Sequence, residues 1–157
     1  MDKEKTVARW LRTFARHADA EQLQKRVFSS KEEGAGNFLW HIFSWELVPH
    51  LSGAEADATY EAEEAAEVLL FADGYSSGGK DPQIDKLQLI AKPTLADLPK
   101  LRKKLKIDDL YITAADFSWT YVQTHEGYLG PYFMRCPLFD WEKENADEKG
   151  ENYACCY

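Results

Sequence analysis

No apolar run in this sequence approaches the eighteen or so residues needed to cross a bilayer. The start, "MDKEKTVARW", carries charge where a secretory leader needs an apolar core. Membrane insertion and export are not expected, and a soluble cytoplasmic protein is. Cysteine is scarce too. Cys136, Cys155 and Cys156 are odd in number and two of them are adjacent, a poor disulfide framework, so reduced thiols are expected. Metal-ligand spacing is missing: "THEGY" is not H-E-x-x-H, and no C-x-x-C occurs. "DGYSSGGKD" lacks the spacing of a phosphate-binding loop. Neither a metal nor a cofactor is expected, and there is no internal repeat.

The 157 residues suit one domain, and 45% hydrophobic with 13% aromatic residues separates the chain from disordered compositions. The expected division is a single folded unit over 1–141 and an acidic, loosely ordered tail over 142–157. Charge is unevenly placed. Of the net −8, residues 107–157 hold ten Asp/Glu against three Lys/Arg, so −7 sits in the last third and −1 in the rest. A second acidic block runs from Ala54 to Glu67, whereas "KLRKKLK" at 100–106 has five basic residues in seven. Nucleic acid is therefore not the expected partner, because phosphate binding needs a basic face and the aromatic-rich third is the acidic one.

Val7, Trp10, Leu11 and Phe14 follow i, i+3, i+4, i+7, which predicts an amphipathic helix over about 3–17. Asp19 can cap a second helix carrying Leu23 and Val27. "FLWHIFSWELV", with hardly a polar residue, predicts a buried central strand. Ser52 and Glu55 match a capping box, predicting a helix to about 65. "EVLLFADGY" and "KLQLIAKP" predict strands, Asp97 with Pro99 a short helix, and "DLYIT", "FSWTYVQTHE" and "GPYFMRC" three further strands. Helices and strands do not alternate regularly. The expected fold is α+β, with a mostly antiparallel sheet of about five or six strands packed with three or four helices.

Period two in "FSWTYVQTHE" sends Phe117, Trp119, Tyr121, Gln123 and His125 to one side and Ser118, Thr120, Val122, Thr124 and Glu126 to the other. The aromatic side is expected to meet the Trp10 and Phe14 stripe of the first helix, with the hydroxyl side solvated. Gln123, His125 and Glu126 then gather at the strand end, where polar groups at the rim of an aromatic cleft can bind a ligand. His41, between Leu39 and Phe43, suits a hydrogen-bonded core histidine. A nucleophilic pair of Cys136 and His125 needs the two strands to align them.

"NFLWHIFSWELVPHLSGAEA" and "DLYITAADFSWTYVQTHEGYLGPYF" resemble a small bacterial family catalogued as domain of unknown function 4275. The resemblance rests on L-W-H-x-F-S before a G-x-E-A helix start, then F-x-W-T-x-V-x-T-H-E and a G-P-[YF]-F close, and extends from about residue 6 to 136. The acidic, Cys-containing tail and "SSGGKDPQ" depart from it. It implies a shared fold and a pocket around Trp40, His41, Trp119, His125 and Glu126, and transfers no activity.

Two functional classes follow. A small acidic protein without a catalytic constellation is suited to a non-catalytic binding role of the immunity or antitoxin kind, covering a basic toxin or nuclease domain. Its candidate contacts are Asp108, Asp109, Asp116, Tyr128, Tyr132 and the tail carboxylates. The alternative is a small-ligand-binding protein or enzyme with His125 as base, Glu126 as its orienter and Trp40, Trp119 and Tyr121 as walls. Glu126 points away from His125 on a regular strand, so that pair needs a bulge or a strand end.

Overall fold

The computed structural model describes residues 1–28, 38–74 and 81–137. The expected tail, together with Cys155 and Cys156, lies outside the described residues. At the start of the chain the Asp2 carboxylate accepts the backbone N–H of Lys5 at 3.0 Å and caps helix α1 (Lys3–Phe14). The predicted stripe of Val7, Trp10, Leu11 and Phe14 is the side it buries. Asp19 caps the next helix in the same way, through the N–H of Gln22 at 2.9 Å. That helix, α2 (Ala20–Leu23), continues into a π-helical turn over Gln24–Phe28.

The segment expected as a central strand is instead a tight helical turn, α3 (His41–Ser44). Amide-to-carbonyl bonds from Ile42 to Leu39 and from Phe43 to Trp40 wind it. The physical reason is coverage. An extended chain would split its apolar residues between two faces, whereas winding turns Leu39, Ile42 and Phe43 toward one core, where all three are fully buried. Glu46, in the left-handed region at φ 53°, follows the turn.

Strand β1 (Leu51–Ser52) leads into α4 (Ala54–Ala62), whose N-cap is Gly53 at φ 62° with no side-chain cap bond. The expected capping box does not form, because Ser52 is drawn into strand pairing opposite Tyr132. The remaining elements are β2 (Glu67–Asp73), β3 (Ile84–Ala91), α5 (Leu98–Leu105), β4 (Leu110–Ala114), β5 (Trp119–Gln123) and β6 (Tyr132–Arg135).

All neighbouring strands are antiparallel, in the order β1-β6-β5-β4-β2-β3. The fold is α+β: one six-stranded sheet with five α-helices among the described residues. α1 and α3 cover one face of the sheet, α4 and α5 the other. No helix among the described residues is long and apolar enough to cross a membrane.

Which face of β5 meets which helices is the reverse of the expectation. Trp119 and Tyr121 pack against Tyr60 of α4, not under α1. The hydroxyl side is buried beneath α1, where the Trp10 indole N–H donates to Thr120 Oγ1 at 3.1 Å, and Thr120 in turn bonds Thr113 at 2.8 Å. A threonine pair that satisfies an indole N–H costs the core little, so hydroxyl alternation does not imply solvent. Phe117 leaves the strand pattern because it turns at φ 62°, and its ring joins the α1 side.

A carboxylate-held histidine at one end of the sheet

Leu110 and Gln123 are Cα partners at the end of the β4–β5 ladder, so the residues just beyond them emerge together. Asp109 lies one residue beyond Leu110, and His125 two beyond Gln123. One carboxylate oxygen of Asp109 accepts the backbone N–H of His125 at 2.6 Å and faces ring Nδ1 at 2.9 Å; the other lies 3.1 Å from Nδ1. With an acceptor there, the network assigns a proton to Nδ1. The Asp109 side chain is 0% exposed and that of His125 36%, so a buried acid fixes the orientation of a surface imidazole.

β5 has ended by His125, and this lets Glu126 converge with it: Oε1 of Glu126 lies 3.6 Å from Nε2. A hydrogen bond to Glu126 raises the pKa of the Tyr128 hydroxyl, and Tyr128 is 83% exposed. Thr124 Oγ1 donates within the loop, to the carbonyl of Glu126 at 3.0 Å and also toward that of Leu129. The Leu129 N–H returns to the Glu126 carbonyl at 3.0 Å. The loop is therefore braced at both ends.

Aromatic rings surround the imidazole. Phe38 and Trp40 stack at 5.4 Å, and His125 rests against both, at 5.4 and 5.9 Å between ring centroids. His41 abuts the same two rings at 5.3 and 4.6 Å. Its Nδ1 donates to the Arg26 carbonyl at 3.0 Å, and burial lowers its pKa below the usual histidine value. Beneath the cluster the Trp40 backbone N–H donates to the Tyr111 hydroxyl at 3.0 Å, and that hydroxyl donates to Asp73 at 2.6 Å. Burial pushes both Asp73 and Tyr111 well up, and Asp109 nearby adds to each. Among the described residues no group of three or more His, Cys, Asp or Glu could hold a metal.

Of the residues singled out in the sequence, Trp40, His41, Asp109, His125 and Glu126 converge here. Asp108 and Tyr128 lie at the same end of the sheet, and the Asp108 carbonyl accepts from Arg102. Three others do not belong to this cluster. Asp116 sits at the opposite end, its carboxylate accepting the Ser118 N–H at 2.9 Å within its own turn. Trp119 is buried against Tyr60 and Phe133 on the far face. Tyr132 is buried between Phe43 and His50 and cannot serve as an exposed anchor.

Glu126 is not the group that orients His125 through Nδ1; Asp109 is. The Cys136–His125 pair does not form, because the backbone N–H of Cys136 donates to the Ser118 carbonyl at 2.9 Å, which places Cys136 at the other end of β5. Cys136 is disulfide-bonded, against the expectation of reduced thiols. Phe38, Asp73 and Tyr111 were not anticipated in the site. Nothing local marks them, since Tyr111 and Asp73 are 38 residues apart.

The fold and the site together define a single-sheet α+β protein in which a carboxylate-held imidazole stands among aromatic rings at one sheet end. Residues 4–133 match a family described as a domain of unknown function (DUF4275), and the chain belongs to it. No curated protein matches, and no solved structure does. The L-W-H and T-H-E segments, far apart in sequence, are the ones whose rings meet in this site.

Proposed function

We propose that this is a non-catalytic binding protein of the immunity or antitoxin kind, an inhibitor that covers a basic toxin or nuclease domain with the surface around Glu126 and Tyr128. One observation carries the proposal: Tyr128 is 83% exposed on a loop whose base is bonded to the buried Asp109. An exposed aromatic on a braced loop binds without first paying to order itself, and tyrosine beside a carboxylate makes an effective anchor. The net charge of −8 adds attraction toward a basic partner and speeds encounter. Calorimetry against basic toxin or nuclease domains encoded beside the gene tests the proposal. Micromolar or tighter binding that weakens about tenfold or more in Tyr128→Ala is expected. Absence of binding to every genomic neighbour overturns it.

A second proposal, a small-ligand-binding protein or enzyme using the Trp40, His125 and Glu126 cleft, is favoured by the Asp109–His125 contact at 2.9 Å. That contact holds a ring as a general base must be held. A small-molecule screen read by the ring resonances of His125, repeated in Asp109→Asn, tests it. Hits lost in the variant support this proposal, and an empty screen removes it.

A further inference from the structure

Helices α4 and α5 cover the same face of the sheet. Ala56 and Tyr60 of α4 and Leu98 of α5 enter one core, and Asp57 and Arg102 border one shallow depression. Their outward charges are opposite. From Ala54 to Glu67 there are six carboxylates and no base, of which Asp57 accepts the Tyr121 hydroxyl at 2.6 Å and Glu63 pairs with Arg135; from Leu98 to Lys106 there are five bases and no acid, of which Arg102 donates to Gln123 at 3.0 Å. Glu55, Glu61 and Glu64 are exposed on one side, Lys100, Lys103 and Lys104 on the other. Among the described residues none of the three lysines has an ion-pair partner. The outer side of α4 also carries exposed Ala54, Ala58 and Ala62 at i, i+4 and i+8, a low ridge along which another helix can approach closely.

We infer that this face is a homodimer interface, in which a two-fold axis running between the two helices, in the plane of the face, sets α4 of one copy against α5 of the other. The operation applies the match twice, α4 on α5 and α5 on α4, which is the self-complementarity that a two-fold contact demands. A second copy suits the face better than an anionic polymer or membrane, since α5 would attract either while the neighbouring α4 repelled it. A basic partner meets the reverse conflict. Only a surface bearing both signs satisfies both helices. The net charge of −8 on each copy opposes association, so the dimer forms only when the stripes align, and it is sensitive to salt. The inference does not rest on the proposed inhibitor role or on Tyr128, although Glu126 also lines the depression that Asp57 and Arg102 border.

Sedimentation velocity of the full chain at roughly 0.01 M and 1 M salt, where the screening length is about 30 and 3 Å, tests it. The wild type is expected to dimerise at low salt and to associate at least about tenfold more weakly at high salt. Two double variants, Lys103→Glu with Lys104→Glu and Glu55→Lys with Glu64→Lys, should each be monomeric alone. Mixed in equal amounts at low salt, they should sediment together as a dimer, because every stripe again meets its opposite. A monomeric wild type at low salt overturns the inference. So does a dimer indifferent to salt, or a mixture that stays monomeric while both variants keep the wild-type circular dichroism. Retention on heparin without self-association assigns α5 to a polyanion and likewise overturns it.

Discussion

Two aspartates flank β4, and their fates differ. Asp116 follows the strand, stays exposed and spends its carboxylate on the Ser118 N–H two residues away. The turn there is closed by the Phe117 N–H on the Ala114 carbonyl at 2.8 Å, with the Arg9 guanidinium 4.2 Å from the Phe117 ring centroid. Asp109 precedes the strand, is buried, and reaches a residue 16 positions on through both backbone and ring. A carboxylate consumed by its own turn shapes that turn and nothing beyond it. A buried carboxylate must find a partner, because an unpaired one is costly, and when the partner is a half-exposed imidazole the constraint is carried out to the surface. This difference makes one end of the sheet a hairpin and the other a candidate site.

The largest effect should come from a residue outside both ends. Trp119→Ala removes a ring that is 3% exposed and is expected to cost about 3–5 kcal/mol in denaturant unfolding. A loss near that of either aspartate variant would mean that the α4 side of the sheet is not the main source of stability.

The next effect sets the two aspartates directly against each other. Asp109→Ala strips the acceptor from two donors of His125 and should cost about 1–3 kcal/mol, with the His125 ring signals broadening as the ring loses its fixed orientation. Asp116→Ala should cost less and leave those signals unchanged. Equal losses, with equal effects on His125, would erase the distinction.

A smaller effect, in pH, sharpens the account of the site end. His41 has its pKa lowered from 6.5 chiefly by burial, so the folded chain favours the neutral ring. Its contribution to stability is present above 6.5 and is lost as pH falls through that value toward the folded one. The charged and titratable groups around it are Asp109, Glu126 and His125, with the Arg26 carbonyl on Nδ1. Thermal melts of His41→Gln between about pH 8 and 5 should therefore fall less steeply than those of the wild type. Parallel curves would show that the ring pays no penalty for charging.

The sequence by itself determined α1, since its apolar stripe needs only a helix and a surface to bury it, and Asp2 supplies the cap from its own neighbourhood. The β2 and β4–β6 strands were legible for the same reason, with boundaries shortened where Phe117 turns away and where Asp109 draws His125 out of the ladder. Trp40, His41, His125 and Glu126 were legible as unusual residues. What brought them together was not. Residues 38–48 looked like a strand because apolar content without alternation records burial but not winding, and only the core beneath α1 decided that Leu39, Ile42 and Phe43 should share one side. The two faces of β5 were assigned the wrong way round because both are buried, so period two separates the faces without saying which helices cover each. Asp109 looked like one more surface acid. Its pairing with His125 is a product of the β4–β5 register, and that register is set by how the whole sheet packs between its two helical layers.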